Sequence, residues 1–226
     1  MLNLKKLSNL RVILNDSIRR SRKVALFFCL SSFVLTSACT DYVQQIDSQY
    51  VEWRFARMTD SRDGRTYKIV TIGSQTWLAE NLNYEITNSY CYNNSAELCS
   101  KYGRLYSWNA ATTACPVGWH LPTKAEFETL FTAVGGQSVA GQMLKSTYGW
   151  NDGMNGSDSY SFSALAAGFR DANGNFIYEG VYAYFWSSGE YASNIADYMD
   201  LYYAGDLAYL NSQSKLHALS VRCVKD

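Results

Sequence analysis

The stretch Cys115-Pro-Val-Gly-Trp-His-Leu-Pro-Thr-Lys-Ala-Glu-Phe127 contains the clearest structural signal in the chain. Thr123 and Glu126 have the spacing of a capping box, and Pro122 prevents a helix from running into Thr123 from the N-terminal side. The pattern predicts a helix that starts after Thr123, packs one face against a core and ends at Gly135-Gly136. Four apolar side chains recur at helical spacing on that face: Phe127, Leu130, Phe131 and Val134.

Short strand patterns surround this helix. Residues 65–72 and 75–78 are joined by Gly73-Ser74, which suits a two-residue hairpin turn, and a second, shorter helix is expected at 139–145. The order of elements predicts an α+β domain with two helices and a small, loop-rich antiparallel sheet. Further strands are expected at 162–166, 176–178, 185–188, 198–203, 207–210 and 219–224.

The N-terminal segment has the composition of an export signal. A basic cluster ending at Lys23 precedes a short apolar run at 24–34, and the small residues Ser37 and Ala38 precede Cys39. Leu35 to Cys39 is similar to a bacterial lipobox, so residues 1–38 are interpreted as a lipoprotein signal peptide and Cys39 as the lipidated residue. A non-lipidated signal peptide and an uncleaved anchor are the alternatives. Residues 39–61 are expected to be a tether, and residues 62–226 the folded domain.

Charge argues against one class of partner. Residues 1–38 hold seven of the 20 Lys and Arg but one of the 20 acidic residues, so the remainder has 13 basic and 19 acidic side chains. A protein that binds phosphate backbones needs the opposite excess, and no nucleic acid partner is expected. The expected partners are the membrane, through the lipid, and a polysaccharide or surface protein in the cell envelope, at the outer membrane or cell surface.

Four cysteines remain after Cys29 and Cys39, which is an even number in an exported chain and predicts two disulfides. Three pairings are possible. Cys91–Cys99 with Cys115–Cys223 is favoured, because the first closes a small loop and the second ties the start of the helical region to the last strand. A zinc site is the competing interpretation, but the spacings are not those of a CxxC pair.

A series of ordered motifs carries a family resemblance. The series resembles the Fibrobacter succinogenes major paralogous domain, a family of exported and surface bacterial proteins without an established biochemical activity, and it runs from about Arg62 to the C-terminus. Its members here are Asp63-Gly-Arg-Thr-Tyr-Lys-Ile-Val70, Gln75-Thr-Trp-Leu-Ala-Glu-Asn-Leu-Asn-Tyr84, Tyr102-Gly-Arg-Leu-Tyr-Ser-Trp108, Cys115 to Thr123, Ala167-Gly-Phe-Arg170, Phe185-Trp-Ser-Ser188 and Ser220-Val-Arg-Cys223.

The resemblance implies a C-type-lectin-like fold, and residues 121–127 are also similar to formylglycine-generating, sulfatase-modifying enzymes. Those enzymes need a pair of reactive cysteines late in the domain, whereas here only Cys223 lies late. Neither His120 nor His217 accompanies a nucleophile motif of known mechanics. No catalytic residue and no cofactor is therefore expected, with an enzyme of the sulfatase-modifying type as the less favoured alternative to a binding module or an envelope scaffold.

Aromatic residues suggest where a ligand would bind. Eight of the 18 tyrosines lie between Tyr178 and Tyr209, and such rings suit stacking on sugars or contact with a protein surface. Most of this cluster is expected to complete the core, and the candidates for exposed, ligand-binding rings are Tyr182, Tyr184, Tyr191, Tyr202 and Tyr203. Oxygen ligands suit calcium, so Asp152, Asn155 and Asp158 are weak candidates for such a site, although Gly-Asn-Asp loops are usually turns.

Overall fold

The structure is a computed structural model that describes residues 56–226. The predicted signal peptide, Cys39 and residues 39–55 of the predicted tether lie outside the described residues. The described part contains four helices: α1 (Ala96–Tyr102), α2 (Trp108–Ala114), α3 (Lys124–Ala133) and α4 (Gln137–Leu144). Its strands are β1 (Ala56–Thr59), β2 (Thr66–Ile72), β3 (Gln75–Leu78), β4 (Ser89–Tyr90), β5 (Leu105–Ser107), β6 (Trp119–His120), β7 (Ala167–Arg170), β8 (Phe176–Glu179), β9 (Tyr182–Ala192), β10 (Ile195–Tyr202), β11 (Ala208–Ser214), β12 (Ala218–Ser220) and β13 (Val224–Lys225).

The smaller sheet has five strands in the order β1-β2-β3-β13-β6. Strand β1 pairs antiparallel with β2, so residues 56–59, which the sequence assigned to the tether, form part of the sheet. The turn between them is held by Asp60, which is fully buried and accepts hydrogen bonds from Arg62 Nε and Nη2 at 2.9 and 2.7 Å. Arg62 Nη2 also donates to the carbonyl oxygen of Ala114, which joins the N-terminal hairpin to the end of α2.

The larger sheet has eight strands, seven of them in the order β11-β10-β9-β7-β12-β5-β4, while β8 pairs with β7. Its longest strands, β9 and β10, form a hairpin next to the edge strand β11, which pairs antiparallel with β10. Most pairings are antiparallel, but β7 and β12 each form a parallel bridge to β9. The sheet is therefore mixed, where the sequence predicted an antiparallel one.

The capping box predicted from the sequence is present at α3. Thr123 Oγ1 accepts a hydrogen bond from the Glu126 amide, and Glu126 Oε2 accepts one from the Thr123 amide at 2.7 Å. The α+β class is thus confirmed, but the prediction of two helices is wrong. Helices α1 and α2 have only seven residues each, too few for a clear periodic pattern, and both begin at a serine cap, Ser95 or Ser107.

Two buried clusters lie on opposite faces of the larger sheet. Helices α3 and α4 pack on one face, where Phe127 stacks on Trp77 with ring centroids 5.6 Å apart. On the other face, α2 and the smaller sheet contribute side chains such as Trp108 and Leu78 to a second cluster that includes Trp186. The β9–β10 hairpin contributes residues to both clusters, because successive side chains of a strand point to opposite faces.

The two favoured disulfides are both present. Cys91 pairs with Cys99, and Cys115 pairs with Cys223 across 108 residues of sequence. The second bond connects the end of α2 to the segment between β12 and β13. Within residues 56–226 no helix is long and apolar enough to cross a membrane.

Candidate functional site

Regular alternation along two neighbouring strands creates an aromatic face on the larger sheet. Tyr182, Tyr184 and Trp186 alternate along β9, and they pair directly with Tyr202, Asp200 and Tyr198 of β10. Cross-strand partners lie on the same face of a sheet, so all six side chains share one face. We call this set, together with Tyr209 and Asn211 of β11 and the neighbouring Tyr178 and Phe169, the aromatic face.

The rings of the aromatic face are in mutual contact. Tyr182 contacts three other rings: its ring centroid lies 5.1 Å from that of Tyr184, 4.8 Å from that of Tyr202 and 5.5 Å from that of Tyr178. Phe169 packs edge-on against Tyr184 at 5.2 Å. Contacts at these separations fix the rings relative to one another, so the face is a preorganised surface.

Asp200 is the one carboxylate at the centre of this face. It is 5% exposed and, among the described residues, its side chain accepts one hydrogen bond, from Asn211 Nδ2 at 2.8 Å. Burial raises the pKa of Asp200 to about 6, and the hydrogen bond from Asn211 offsets this only in part. The group is therefore mainly ionised at neutral pH while most of its hydrogen-bonding capacity is unused.

Several tyrosine hydroxyls around Asp200 are also without a partner within the described part of the chain. No hydrogen bond there engages the hydroxyls of Tyr182, Tyr184 or Tyr198. Burial raises the pKa of Tyr198 to about 12 and raises that of Tyr184 further, so both remain protonated at neutral pH. The face thus offers hydroxyl donors beside a carboxylate acceptor.

One end of the aromatic face is covered and the other is open. At the covered end, Trp186 is fully buried and donates to the carbonyl oxygen of Tyr106, and Trp108 of α2 donates to that of Ser187, both at 2.8 Å. At the open end, Tyr178 is 50% exposed and Tyr209 is also exposed. A ligand has access to this end, where Tyr182 and Tyr202 lie between those two rings.

The five predicted ligand-binding tyrosines are only partly brought together. Tyr182 and Tyr202 are half-buried on the aromatic face, and Tyr203 contacts Tyr202 with ring centroids 4.7 Å apart. The expectation that Tyr184 is exposed is wrong: it is 7% exposed, because Phe169, Tyr182 and Tyr198 surround its ring. Tyr191 is 72% exposed, but it lies near the far end of β9 and contacts none of these rings.

Several members of the aromatic face are not among the residues predicted from the sequence. Asp200 and Tyr198 alternate with Tyr202 along a predicted strand, so period-two spacing alone was enough to group them. Tyr178 gave no such signal, because its position on the face depends on an unusual backbone conformation. Phe169 comes from a separate strand, and only the sheet topology brings it here.

The candidate calcium ligands serve the loop in which they lie. Asn155 Oδ1 accepts a hydrogen bond from the Trp150 amide at 3.2 Å, and Asp158 accepts from the amide and hydroxyl of Ser163. Asp152 has a left-handed backbone with φ of 55° in a short 3₁₀ turn. Over the described residues, no group of three or more His, Cys, Asp and Glu side chains could hold a metal ion.

Both histidines, and a tyrosine hydroxyl in a separate cleft, have hydrogen-bond partners. His120 lies between Glu126 Oε1 and Asp226 Oδ1, at 2.8 and 2.6 Å, and His217 contacts Gln213. A cleft of about 380 Å³ is lined by residues that include Lys101, Tyr102 and Glu179, and there the Tyr102 hydroxyl donates to Glu179 at 2.8 Å. All four cysteines of the described part are in disulfides, so none of them is a free thiol.

Comparison with protein-family models gives a match over most of the described residues. The model of the Fibrobacter succinogenes major domain matches residues 70–225, which include both sheets' central strands and all four helices. No curated protein and no solved structure matches the chain. The match covers more than half of the sequence and includes all of the motifs that carry the resemblance except the first, Asp63 to Val70, of which it reaches only the last residue. The chain therefore belongs to the Fibrobacter succinogenes major domain family.

Proposed function

We propose that this domain is a non-catalytic ligand-binding module whose aromatic face binds polysaccharide. The observation that carries the proposal is Asp200, a buried carboxylate with one neutral hydrogen-bond partner at the centre of a tyrosine surface. Burying an ionised group without full pairing opposes folding. Such a group fits a binding role, because ligand hydroxyls would supply the missing hydrogen bonds.

The chemistry of the face favours an uncharged, hydroxyl-rich ligand. Tyrosine rings provide apolar surface for the C–H faces of sugars, while their hydroxyls, together with Asp200 and Asn211, provide donors and acceptors for sugar hydroxyls. The Asp200 carboxylate would repel anionic polymers, including nucleic acids. A neutral polysaccharide meets both conditions.

We further propose a C-type-lectin-like fold and a lipid anchor at Cys39, which would place the domain in the cell envelope, at the outer membrane or cell surface. The disulfide linking Cys115 to the C-terminal segment supports the first proposal, and two disulfides in a chain of this kind support export to an oxidising compartment. Fractionation of cells tests the anchor: Cys39→Ala should move the protein from the membrane fraction to the soluble one. Retention in the membrane would contradict lipidation.

A surface protein is the second ligand class, and a scaffold without a ligand is the alternative function. The open end of the aromatic face would also suit a protein surface rich in hydroxyl and backbone groups. If the ligand is a protein, the chain should not be retained on polysaccharides. If the domain is a scaffold without a ligand, substitutions on the aromatic face should change the stability of the fold and no binding activity.

Retention of the full-length chain, in mild detergent, on insoluble cellulose, xylan and chitin tests the proposal. Binding to at least one polymer is expected, with a loss of about tenfold in affinity for Tyr182→Ala and for Asp200→Asn. Tyr148→Ala is the matched control, since Tyr148 is an exposed tyrosine outside the face. No retention of the intact chain, or equal retention of all variants, would refute the polysaccharide proposal.

A further inference from the structure

The backbone of Tyr178 has a conformation that large side chains rarely adopt. Its φ is 67°, in the left-handed region, although it lies inside strand β8. For a bulky residue this region is unfavourable, and a residue held there adds about 1–3 kcal/mol of strain. The Tyr178 carbonyl oxygen accepts a hydrogen bond from the Val181 amide, so Tyr178 is the first residue of the turn between β8 and β9. Glycine or asparagine would adopt the positive φ of residue 178 at lower cost.

The neighbouring strand is adapted to this conformation. Gly168 lies between Ala167 and Phe169, which pair with Glu179 and Ile177, so it faces Tyr178 across the strand pair. Gly168 also has a left-handed backbone, with φ of 62°, and a Cβ there would lie 2.8 Å from the Tyr178 carbonyl carbon and closer still to the Ile177 oxygen. The absence of a side chain at Gly168 makes room for the Tyr178 backbone.

The consequence is the position of the Tyr178 ring. In a regular strand Tyr178 would point to the face opposite Ile177, whose partner Phe169 belongs to the aromatic face. Instead its ring lies 6.0 Å from Phe169 and 5.5 Å from Tyr182, and half of the residue is exposed. The left-handed turn therefore brings an additional ring to the open end of the aromatic face.

With Tyr178 included, the open end is an elongated strip. Its rings run from Tyr178 through Tyr182 on β9 and Tyr202 on β10 to Tyr209 on β11. Strands β9 and β11 are two spacings apart, or about 10 Å, and Tyr178 lies beyond β9. A single sugar unit would contact only part of this strip.

On the basis of the proposed polysaccharide function, we propose that Tyr178 is a specificity-determining residue that extends the site, so that the aromatic face binds chains of several sugar units more tightly than short fragments. The residue contacts the ligand directly. Its strained backbone is retained because a glycine or asparagine there would remove the outermost ring.

Titration of the full-length chain with disaccharides and hexasaccharides of cellulose, xylan and chitin tests the inference, together with thermal unfolding of each variant. Tyr178→Gly should unfold at a higher temperature than Tyr178→Ala, which loses the same ring contacts but keeps a Cβ at a positive φ. Tyr178→Gly should also bind the hexasaccharide about tenfold more weakly than the intact chain. Its affinity for the disaccharide should stay near that of the intact chain. Tyr178→Phe keeps the ring and should bind the hexasaccharide within about threefold of the intact chain.

The outcomes separate this inference from the proposed function. If Tyr178→Gly binds the hexasaccharide as the intact chain does, while Tyr182→Ala binds it weakly, the role of Tyr178 is refuted and the polysaccharide function stands. If the intact chain binds none of the oligosaccharides and none of the polymers, both are refuted. An unfolding temperature of Tyr178→Gly no higher than that of Tyr178→Ala would refute the strain argument.

Discussion

Asp200 lowers the stability of the fold at neutral pH. Its pKa is raised by burial to about 6, while an aspartate in the unfolded chain titrates near 3.9. Between these values the folded state holds more protons than the unfolded state, so the free energy of unfolding falls as the pH rises from about 4 to about 6. Asp200→Asn should therefore stabilise the protein at pH 7.5 by at most about 2.7 kcal/mol, the free energy that corresponds to a shift of two pKa units.

Thermal unfolding of the intact chain and Asp200→Asn at pH 4 and pH 7.5 measures this effect. The gain in unfolding temperature should be present at pH 7.5 and nearly absent at pH 4, where both side chains are uncharged. Asn can still accept the hydrogen bond from Asn211, so that contact is kept. An equal gain in unfolding temperature at both pH values would mean that packing, and not the charge of Asp200, causes the stabilisation.

At the residue scale, strand periodicity predicts which side chains share a face but not which of them are covered. Tyr198, Asp200 and Tyr202 alternate in the sequence and share a face in the structure. The burial of Tyr184 depends on Phe169, which lies outside the β9–β10 hairpin and reaches the ring only through the sheet order. Exposure is thus a tertiary property that local spacing does not determine.

Glu126 performs two functions at the start of helix α3. One oxygen completes the capping box with Thr123, and the other accepts from His120, which also contacts Asp226. Burial alone would lower the pKa of His120, but the hydrogen bonds to Asp226 and Glu126 outweigh it and raise the pKa. The ion pair therefore stabilises the fold below about pH 6.5, the unfolded value, and the effect is lost as the pH rises through the higher folded value.

Glu126→Gln separates these two functions, because glutamine also supports a capping box. The loss of stability in the variant should be about 0.5 kcal/mol larger at pH 6 than at pH 9, because only the contribution of a partly exposed ion pair with protonated His120 changes over this range. Thermal unfolding at both pH values measures the difference. Glu128→Gln, an exposed position on the same helix, is the matched control. A loss that is independent of pH would contradict a role for the charge.

At the element scale, the sequence predicts those helices and strands whose ends are marked by contacts between near neighbours in the chain. Helix α3 begins where Thr123 and Glu126 indicate, since a capping box is a contact between near neighbours. Residues 162–166 were predicted as a strand from their apolar character, but only Ala164 forms a bridge, to Lys145. Ser161 and Ser163 on either side of Phe162 have left-handed backbones, and this interrupts any strand there.

At the scale of the molecule, the C-terminal segment joins the two sheets. Strand β12 belongs to the larger sheet and β13 to the smaller one, and the residues between them include Arg222 and Cys223. Arg222 is fully buried, and burial lowers its pKa to about 9. It donates to Asn81 Oδ1 at 2.6 Å and to the carbonyl oxygens of Leu78 and Phe162. Arg222 therefore gives this connection polar contacts with two separate segments, residues 78–81 and 162–163, in addition to the disulfide.

This arrangement predicts that the two disulfides contribute unequally to the free energy of unfolding. Cys115–Cys223 closes 108 residues and Cys91–Cys99 closes eight, so in the chain-entropy model they contribute roughly 4–5 and 2–3 kcal/mol. Cys115→Ala/Cys223→Ala should lower the free energy of unfolding more than Cys91→Ala/Cys99→Ala. It should also loosen the contacts of Arg222, because the segment that joins the sheets loses its covalent attachment to the end of α2.

Denaturant unfolding of both double variants measures the difference, and each serves as the control for the other. Reduction of the intact chain breaks both bonds without removing any side-chain atoms, so it separates loss of the covalent link from the cavity left at the buried Cys223. If loop closure is the cause, the reduced intact chain should be at least as unstable as the Cys115→Ala/Cys223→Ala variant. A larger loss from Cys91→Ala/Cys99→Ala would show that the local structure around α1, and not the junction of the two sheets, limits stability.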